Sequence, residues 1–544
     1  MKLTIQGIFS EIIARYAPGV SFDVLIPPDQ RMGDYSTNTA FKLPGSPMGN
    51  ARHLKMKLDQ DQDLKKVCAE VEVIAPGFIN FKLNSEILLS MLGSIILEES
   101  KYGDLNLGKQ KVNLEFVSAN PTGPPTVGNA RAAAYGDTLG NILKKAGYDV
   151  TKEYYLNDVG VQVNKLGLSV AKRYLEAQGK EIEFEEGLYK GEYIKDIATK
   201  LESEIKSAGV ENDIEALSNF CRDRAVSMMV NEAKRITSQM GVEFNSWFKE
   251  SELYKSGEVD DALERLNKSK AIDKKEGATW LKYGDEQEAV LIKTDGHKTY
   301  LMGDIAYSLN KLEKRKFDKA INIWGTDHHG DVPRLLGAMR ILGYDKELEL
   351  ILHQLVTLKS KDPSTSSGQV LKISKRAGNL VLLEELISDV GKDATRFFFL
   401  SKDLNTHMEF DVELAKEQSK KNLVFYIQYA FARLSSIFSK LPKVNDKIQI
   451  KNPSLLKKQE ELLLLRTMSK FPDVIENIVK SYQVHHLANY SLELARQFHK
   501  FYEKYHVIQE DKDLQNARVA LATGVHVVLK NCLDLMGLDT PSKM

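Results

Sequence analysis

The chain has 544 residues, 42% of them apolar and 28% charged, and its 75 basic and 75 acidic side chains give a formal net charge of zero. Such a length exceeds one hydrophobic core and predicts two to four domains, while the composition excludes a disordered or fibrous chain. Zero net charge also excludes whole-chain attraction to nucleic acid, so any such partner must be held by a local basic surface. Cys68, Cys221 and Cys532 lie far apart, without the spacing of a zinc site or a disulfide framework, and read as buried small hydrophobes. Gln6, Glu11 and Arg15 interrupt the apolar residues at the N-terminus, and no apolar run approaches membrane-span length. Neither a signal peptide nor a membrane protein is expected, and a reducing cytoplasm fits.

Residues 1–104 read as a separate α+β unit. Ile5, Ile8, Phe9, Ile12 and Ile13 recur at helical period, and Val71, Val73, Phe78, Ile79 and Phe81 read as strand. Val112, Leu114 and Phe116 then alternate with Asn113 and Glu115, as a strand requires, until Asn120-Pro-Thr-Gly-Pro-Pro125 forbids strand or helix from continuing. A helix is predicted from about Gly128 to Lys145, stopped by Gly147. A strand, a polar turn and a helix N-terminus form the place in an α/β sheet where backbone N–H groups and the helix dipole hold phosphate, although many such turns bind nothing. Residues 148–156 read as a second strand. It ends at Asn157-Asp158, polar groups that either face a ligand crevice or cap a helix.

From about 162 to 240 the pattern is helical and mostly polar, with Phe220, Ala225, Met228, Met229 and Ala233 as the apolar face, and reads as an insertion between two halves of the sheet. Tyr300 and Asp304 stand four apart, on one face if a helix begins there. A phenol and a carboxylate side by side suit a planar guanidinium; a packed tyrosine beside a helix-start aspartate explains the same residues. Residues 319–324 form a strand that ends in Gly325-Thr-Asp-His-His-Gly330, and three adjacent residues do not converge on one ion, so no metal site is expected. A small-polar loop, 361–369, reads as a local insertion and precedes Lys372-Ile-Ser-Lys-Arg-Ala-Gly-Asn379. Residues 412–544 read as almost wholly helical, with Leu487, Tyr490, Leu494, Phe498, Phe501 and Tyr505 on one stripe.

Glu115-Phe-Val-Ser-Ala-Asn-Pro-Thr-Gly-Pro-Pro125, followed by x-Val-Gly-x-x-Arg, resembles the nucleotide-binding signature of class I aminoacyl-tRNA synthetases, and its long form resembles that of arginyl-tRNA synthetases. Thr126-Val-Gly-Asn129 stands where that family has His-x-Gly-His, so two cationic side chains are replaced by a hydroxyl and an amide. Lys372 to Asn379 resembles the second class I signature and follows in the family's order. Gly33-Asp-Tyr-Ser-Thr-Asn38, Tyr426-Ile-Gln-Tyr-Ala430 and Asn531-Cys-Leu-Asp-Leu-Met-Gly537 extend the likeness over essentially the whole chain.

The resemblance implies an α/β fold: a Rossmann-like parallel-sheet catalytic domain at 105–411, an N-terminal α+β domain at 1–104 that contacts the tRNA elbow, and an anticodon-binding helical bundle at 412–544. It implies that ATP and arginine form arginyl-adenylate with release of pyrophosphate, and that the arginyl group passes to the terminal ribose of tRNA(Arg). Glu115, Ser118, Asn120, Asn157, Glu250, Tyr300 and Asp304 match arginine-binding positions. Pro121, Thr122, Gly123, Pro125, Thr126, Gly128, Asn129, Gly325, Asp327, His328, Lys372, Ser374, Lys375 and Arg376 match ATP-binding ones, with Mg2+ carried on the ATP phosphates. Lys372, Lys375, Thr126 and Asn129 are the catalytic candidates, the lysines stabilising charge on the α-phosphate and departing pyrophosphate. A cytoplasmic monomer without membrane contact is expected. Two rivals remain: a synthetase for another amino acid, and a tRNA-binding relative without catalysis.

Overall fold

The computed structural model describes residues 5–27, 32–360, 369–372, 381–441 and 453–544. Two compact units are distinguished, one of Met1–Gly108, Lys145–Gly147 and Gln418–Met544, the other of Lys109–Lys144 and Tyr148–Glu417.

The second unit is built on a five-stranded sheet: β1 (Lys111–Glu115), β2 (Asp149–Leu156), β3 (Ser246–Lys249), β4 (Lys319–Gly325) and β5 (Leu348–His353). All neighbours are parallel, in the order β5-β4-β1-β2-β3. Helix α1 (Val127–Lys145) carries the chain from β1 to β2 on one side, whereas β4 lies on the other. That reversal leaves a crevice at the carboxyl ends of β1 and β4, where open α/β sheets bind ligands. Close packing of α1 on the sheet depends on two glycines. A Cβ at Gly136 would lie 2.2 Å from Phe116 Cγ, and one at Gly140 would lie 2.6 Å from Lys152 Cε.

Helices α2 (Val161–Ala177), α3 (Glu192–Ala208) and α4 (Ile214–Gln239) intervene between β2 and β3 and share a core that includes Leu166, Val170, Ile197, Leu201, Leu217 and Cys221. The buried stripe of α4 is Leu217, Cys221, Ala225, Met229 and Ala233, so Phe220 and Met228 lie at its half-buried margin. Beyond β3 come α5 (Glu250–Lys255), an antiparallel sheet of Ile272–Lys275, Ala278–Lys282 and Glu288–Ile292, and then α6 (Tyr300–Leu309), which continues as a π-helical turn at Asn310–Lys314. Helix α7 (Asp331–Leu342) joins β4 to β5. A further small sheet pairs Val356–Ser360 antiparallel with Gln369–Lys372 and parallel with Met408–Asp411.

In the first unit the N-terminal helix Ile5–Tyr16 lays Phe9 on Phe81 and Tyr35 of a four-stranded antiparallel sheet, at 4.6 and 5.2 Å between ring centroids. Buried Asp473, on the C-terminal helix Phe471–Ser481, accepts hydrogen bonds from Gln6 N (2.9 Å) and Tyr35 Oη (2.6 Å). The N-terminal residues and the C-terminal helices thus share one core. Helix Lys512–Met536 corrects the expectation that no run reaches membrane-span length: it is long and apolar enough to cross a bilayer. Its apolarity serves the bundle, however, since Val525, Val528, Leu529 and Cys532 are fully buried. All three cysteines are buried and free.

Candidate active site

At the end of β1 the backbone enters the left-handed region at two non-glycine residues, Val117 (φ 71°) and Ser118 (φ 39°). A β-branched residue is disfavoured there, at a cost on the order of 1–3 kcal/mol per residue, so the surroundings must impose the turn. Ser118 Oγ donates to Glu115 Oε1 (3.0 Å) and accepts from Tyr155 N (3.1 Å). Tyr154 Oη bonds both the N–H and the carbonyl of Ala119. Next, Asn120 Nδ2 donates to Gln162 Oε1 (2.7 Å), and Tyr193 Oη, from α3, donates to the Thr122 carbonyl (2.8 Å) and stands 3.3 Å from where a Cβ on Gly123 would lie. The segment Pro121–Pro125 is therefore fastened from both sides without becoming a strand or helix.

At the start of α1, Asn129 Oδ1 accepts from Thr126 N (2.9 Å) and Thr126 Oγ1 (3.2 Å), so the two residues at the histidine positions bond to each other. A Cβ at Gly128 would meet only Thr126 Oγ1, at 3.6 Å; packing within the chain does not itself demand glycine. Arg131, fully buried, donates to the carbonyls of Gln354, Asp403 and Thr406, and burial pushes its pKa down to about 10.

Backbone pairing brings the segments flanking the second signature to defined places. Before it, Gln369–Lys372 pairs with Val356–Ser360. After it, Thr126 and Leu382 form an antiparallel bridge, Val127 N donates to the Val381 carbonyl (3.2 Å), and Leu383 N donates to the Pro125 carbonyl (3.0 Å). Residues 381–383 are thereby bonded to the first signature. The side chain of Lys372, and Ser374, Lys375 and Arg376 entirely, lie outside the described residues, as does 361–368 of the small-polar loop. At the end of β4, Asp327 and His328 are exposed, and His328 Nδ1 lies 3.4 Å from Asp331 Oδ2. A Cβ on Gly325 would lie 2.4 Å from Asp327 Oδ1, the end of an exposed side chain that is free to turn away.

Four carboxylates gather behind this edge, and the chain supplies cations for two. Glu153, fully buried, is held by Arg315 through both oxygens, by Tyr307 Oη (2.6 Å) and by Asn113 Nδ2 (2.9 Å). Burial alone would raise its pKa, but the Arg315 hydrogen bond and the charges of Lys311 and Arg315 bring it down to about 2. Glu115 is 4% exposed and accepts from Lys311 Nζ (2.7 Å), which also donates to Asn322 Oδ1 (2.8 Å). Glu250 and Asp304 have no cationic partner among the described residues, and Glu250 Oε2 is buried without any hydrogen-bond partner there. Burial, with Asp158 adding repulsion, raises Glu250 to about 7, and burial followed by Glu115 and Glu250 pushes Asp304 well above the carboxylate range. A Cβ at Gly303 would lie 3.1 Å from Glu250 Oε1 and 3.9 Å from Tyr155 Oη, which sets Glu250 against α6. Tyr300, 57% exposed, opens that helix. Burial and mutual repulsion oppose the ionisation of these two carboxyls, and a bound cation with several donors offsets both.

Of the Asn157-Asp158 pair, Asp158 caps α5, accepting from Ser251 N and Oγ at 2.8 Å each, while Asn157 Oδ1 is buried without a partner among the described residues. Glu153, Tyr307, Lys311 and Arg315 escaped the sequence reading, yet a signal existed. Tyr300, Asp304, Tyr307 and Lys311 follow at steps of four, three and four, one face of a helix, and the face ends in a π turn of the kind common at functional sites. Among the described residues no group of three or more His, Cys, Asp or Glu is placed to hold a metal ion.

Three family models match in order along the chain: the arginyl tRNA synthetase N-terminal domain at residues 3–83, the catalytic domain of class I (R) tRNA synthetases at 91–422, and the DALR anticodon-binding domain at 427–544. The arginine–tRNA ligase of Thermotoga maritima is 39% identical over 98% of each chain, and that of Listeria monocytogenes serovar 1/2a is 41% identical over 95% of this chain and 94% of its own. The fold is also that of the solved arginyl-tRNA synthetase of Thermus thermophilus, with a TM-score of 0.77 at 20% identity, covering 99% of this chain and all of the other. Relatives of that identity along its whole length, and matches to all three domains in the same order, make this chain a member of the arginyl-tRNA synthetase family of class I tRNA synthetases.

Proposed function

We infer that the chain is an arginine–tRNA ligase, which forms arginyl-adenylate from arginine and ATP and transfers the arginyl group to tRNA(Arg). The observation that carries the residue-level reading is the backbone bond between residues 125–127 and 381–383, together with a recess in which Glu250 and Asp304 have no cationic partner among the described residues. Asp304 and Glu250 take the guanidinium, with Tyr300 as an aromatic wall and Asn157 Oδ1, which has no partner among the described residues, as a further acceptor. Ser118 and Asn120 lie at the α-amino end, with Glu115 beneath Ser118. Pro121, Thr122, Gly123, Pro125, Thr126, Gly128 and Asn129 line the phosphate side at the α1 N-terminus, where backbone N–H groups and the dipole favour anions. Gly325, Asp327 and His328 serve the adenosine.

The arginine carboxylate is ionised at neutral pH and attacks the α-phosphorus directly, forming a C–O–P bond as the bond to pyrophosphate breaks. No general base is needed, and acceleration comes from positioning and charge stabilisation. Lys372, Ser374, Lys375 and Arg376 supply that charge and its hydrogen bonds. ATP enters with Mg2+ on its phosphate oxygens, as part of the substrate. A ribose hydroxyl of the tRNA terminus then attacks the acyl carbon and AMP leaves. The remaining partner is the tRNA anticodon, met by the helices of 412–544, and the N-terminal domain of 1–104 meets the tRNA elbow; a cytoplasmic monomer is proposed, in keeping with three free buried cysteines.

Charging of tRNA(Arg) with labelled amino acids, with and without ATP, tests this. ATP-dependent charging with arginine and not with lysine is expected. Preference for another amino acid, or tight tRNA binding without any charging, would overturn it.

A further inference from the structure

Lys311 has no place in the chemistry above, yet it is fully buried and its position is over-determined. Its Nζ lies 2.7 Å from Glu115 Oε2, 2.8 Å from Asn322 Oδ1 and 4.0 Å from the centroid of the Tyr307 ring. The other oxygen of Glu115 accepts from Ser118 Oγ, and that hydroxyl in turn accepts the N–H of Tyr155. A line of contacts thus runs from the π turn after α6, through the last residue of β1, to the two residues held in the left-handed region. Val117 and Ser118 have no intrinsic preference for that conformation, so what fixes Glu115 also fixes the direction in which Ala119 and Asn120 leave the sheet. The same helix face carries Asp304 one turn before Tyr307.

We propose that Lys311 is a positioning residue for arginine: by clamping Glu115 it holds the Val117–Ser118 turn, and so registers the α-amino end of the site against the guanidinium end on α6. This rests on the assignment of the guanidinium to Asp304 and Glu250. Lys311 and Ser118 between them take both oxygens of Glu115, while Glu250 and Asp304 are left to the substrate, so a second role is to keep the recess matched to one guanidinium. Misplacement by about 1 Å in such a site costs on the order of 100-fold, which sets the scale of the expected effect.

The test compares Lys311→Met, the double variant Lys311→Met with Glu115→Gln, and Asp304→Asn, each full-length, by steady-state tRNA arginylation and thermal melting. Lys311→Met should raise the arginine KM by about tenfold or more with the ATP KM within about twofold, and should lower the melting temperature because Glu115 is left as an unpaired buried charge. The double variant removes that charge and should recover most of the melting temperature while the arginine KM stays raised. An unchanged arginine KM in Lys311→Met would overturn the proposal. So would a double variant in which KM and melting recover together, since that outcome belongs to a purely structural ion pair; should Lys311→Met fail to fold, Lys311→Arg, which keeps the charge but displaces it from Glu115, decides by the same two KM values. Asp304→Asn separates the two inferences: no effect on arginine KM there sinks the guanidinium assignment, whereas a large effect with a silent Lys311→Met sinks only the positioning role.

Discussion

Replacement of Asp304 by asparagine is the sharpest probe of the carboxylate recess. Asparagine preserves the shape of the side chain but removes its charge and turns one of two acceptors into a donor that faces guanidinium donors. Hydrogen bonds to charged groups contribute about 1.5–3 kcal/mol. At about 1.4 kcal/mol per tenfold, the arginine KM should rise roughly 10- to 150-fold. The ATP KM should change by no more than about twofold, because Asp304 lies on α6 and the proposed nucleotide residues lie on the segments around α1 and after β4. Stability moves the other way. Burial, then Glu115 and Glu250, raise the folded-state pKa of Asp304, so its neutral form favours the fold below its unfolded pKa and that contribution is lost as pH rises through the raised value. At pH 8 without arginine the variant should therefore melt no lower than the parent. Initial rates of tRNA arginylation across arginine and ATP concentrations, with melting curves alongside, measure both. Equal rises in the two KM values, or a melting temperature that falls with activity, would refute the guanidinium role.

Glu250, raised to about 7, must ionise to meet a guanidinium; the arginine KM should climb by up to about tenfold between pH 7 and pH 6, and Glu250→Gln should flatten that slope while raising KM at pH 8. In the absence of arginine the same shift stabilises the fold fully below the unfolded pKa and is lost through about pH 7, so the parent's melting temperature should fall relative to that of Glu250→Gln as pH rises from 5 to 8. Lys375→Ala should slow arginyl-adenylate formation on the order of 100-fold with little change in arginine KM; a normal rate would remove its role in stabilising the leaving pyrophosphate. Gly136→Ala forces a methyl to within 2.2 Å of Phe116 and should destabilise the chain by about 1–3 kcal/mol, read as a lowered denaturation midpoint; an unchanged midpoint would mean that α1 shifts freely on the sheet.

The central strands and α1 were legible because a buried parallel strand and the helix after it announce themselves by apolar period and by the Asn120–Pro125 break. Strand β3 was not: Ser246–Lys249 is a half-buried edge strand with an unremarkable pattern. The antiparallel sheet at 272–292 escaped for a similar reason, since its strands carry Lys274, Lys275 and Lys282 and expose much of their surface. Least legible were Glu153, Lys311 and Arg315. In sequence a charged residue reads as solvated, and the pairing of Arg315 with a carboxylate 162 positions away has no local trace.

Those hidden charges bear on the departure at Thr126 and Asn129. Family histidines at these places would add positive charge near the phosphates; this chain has a hydroxyl and an amide that satisfy one another, Asn129 Oδ1 taking both the N–H and the Oγ1 of Thr126. The bond keeps the first turn of α1 in order, and with it the direction of the backbone donors and dipole that favour an anion. Only the mobile charge of an imidazolium is missing. The buried cations do not replace it, because Lys311 and Arg315 are committed to Glu115 and Glu153. Charge stabilisation in the proposed reaction therefore falls to the second signature, whose following residues are bonded directly to the first. Loss of Lys375 should for that reason depress adenylate formation by a larger factor than loss of either Thr126 or Asn129, and a ranking in the opposite order would place the catalytic charge at the α1 N-terminus instead.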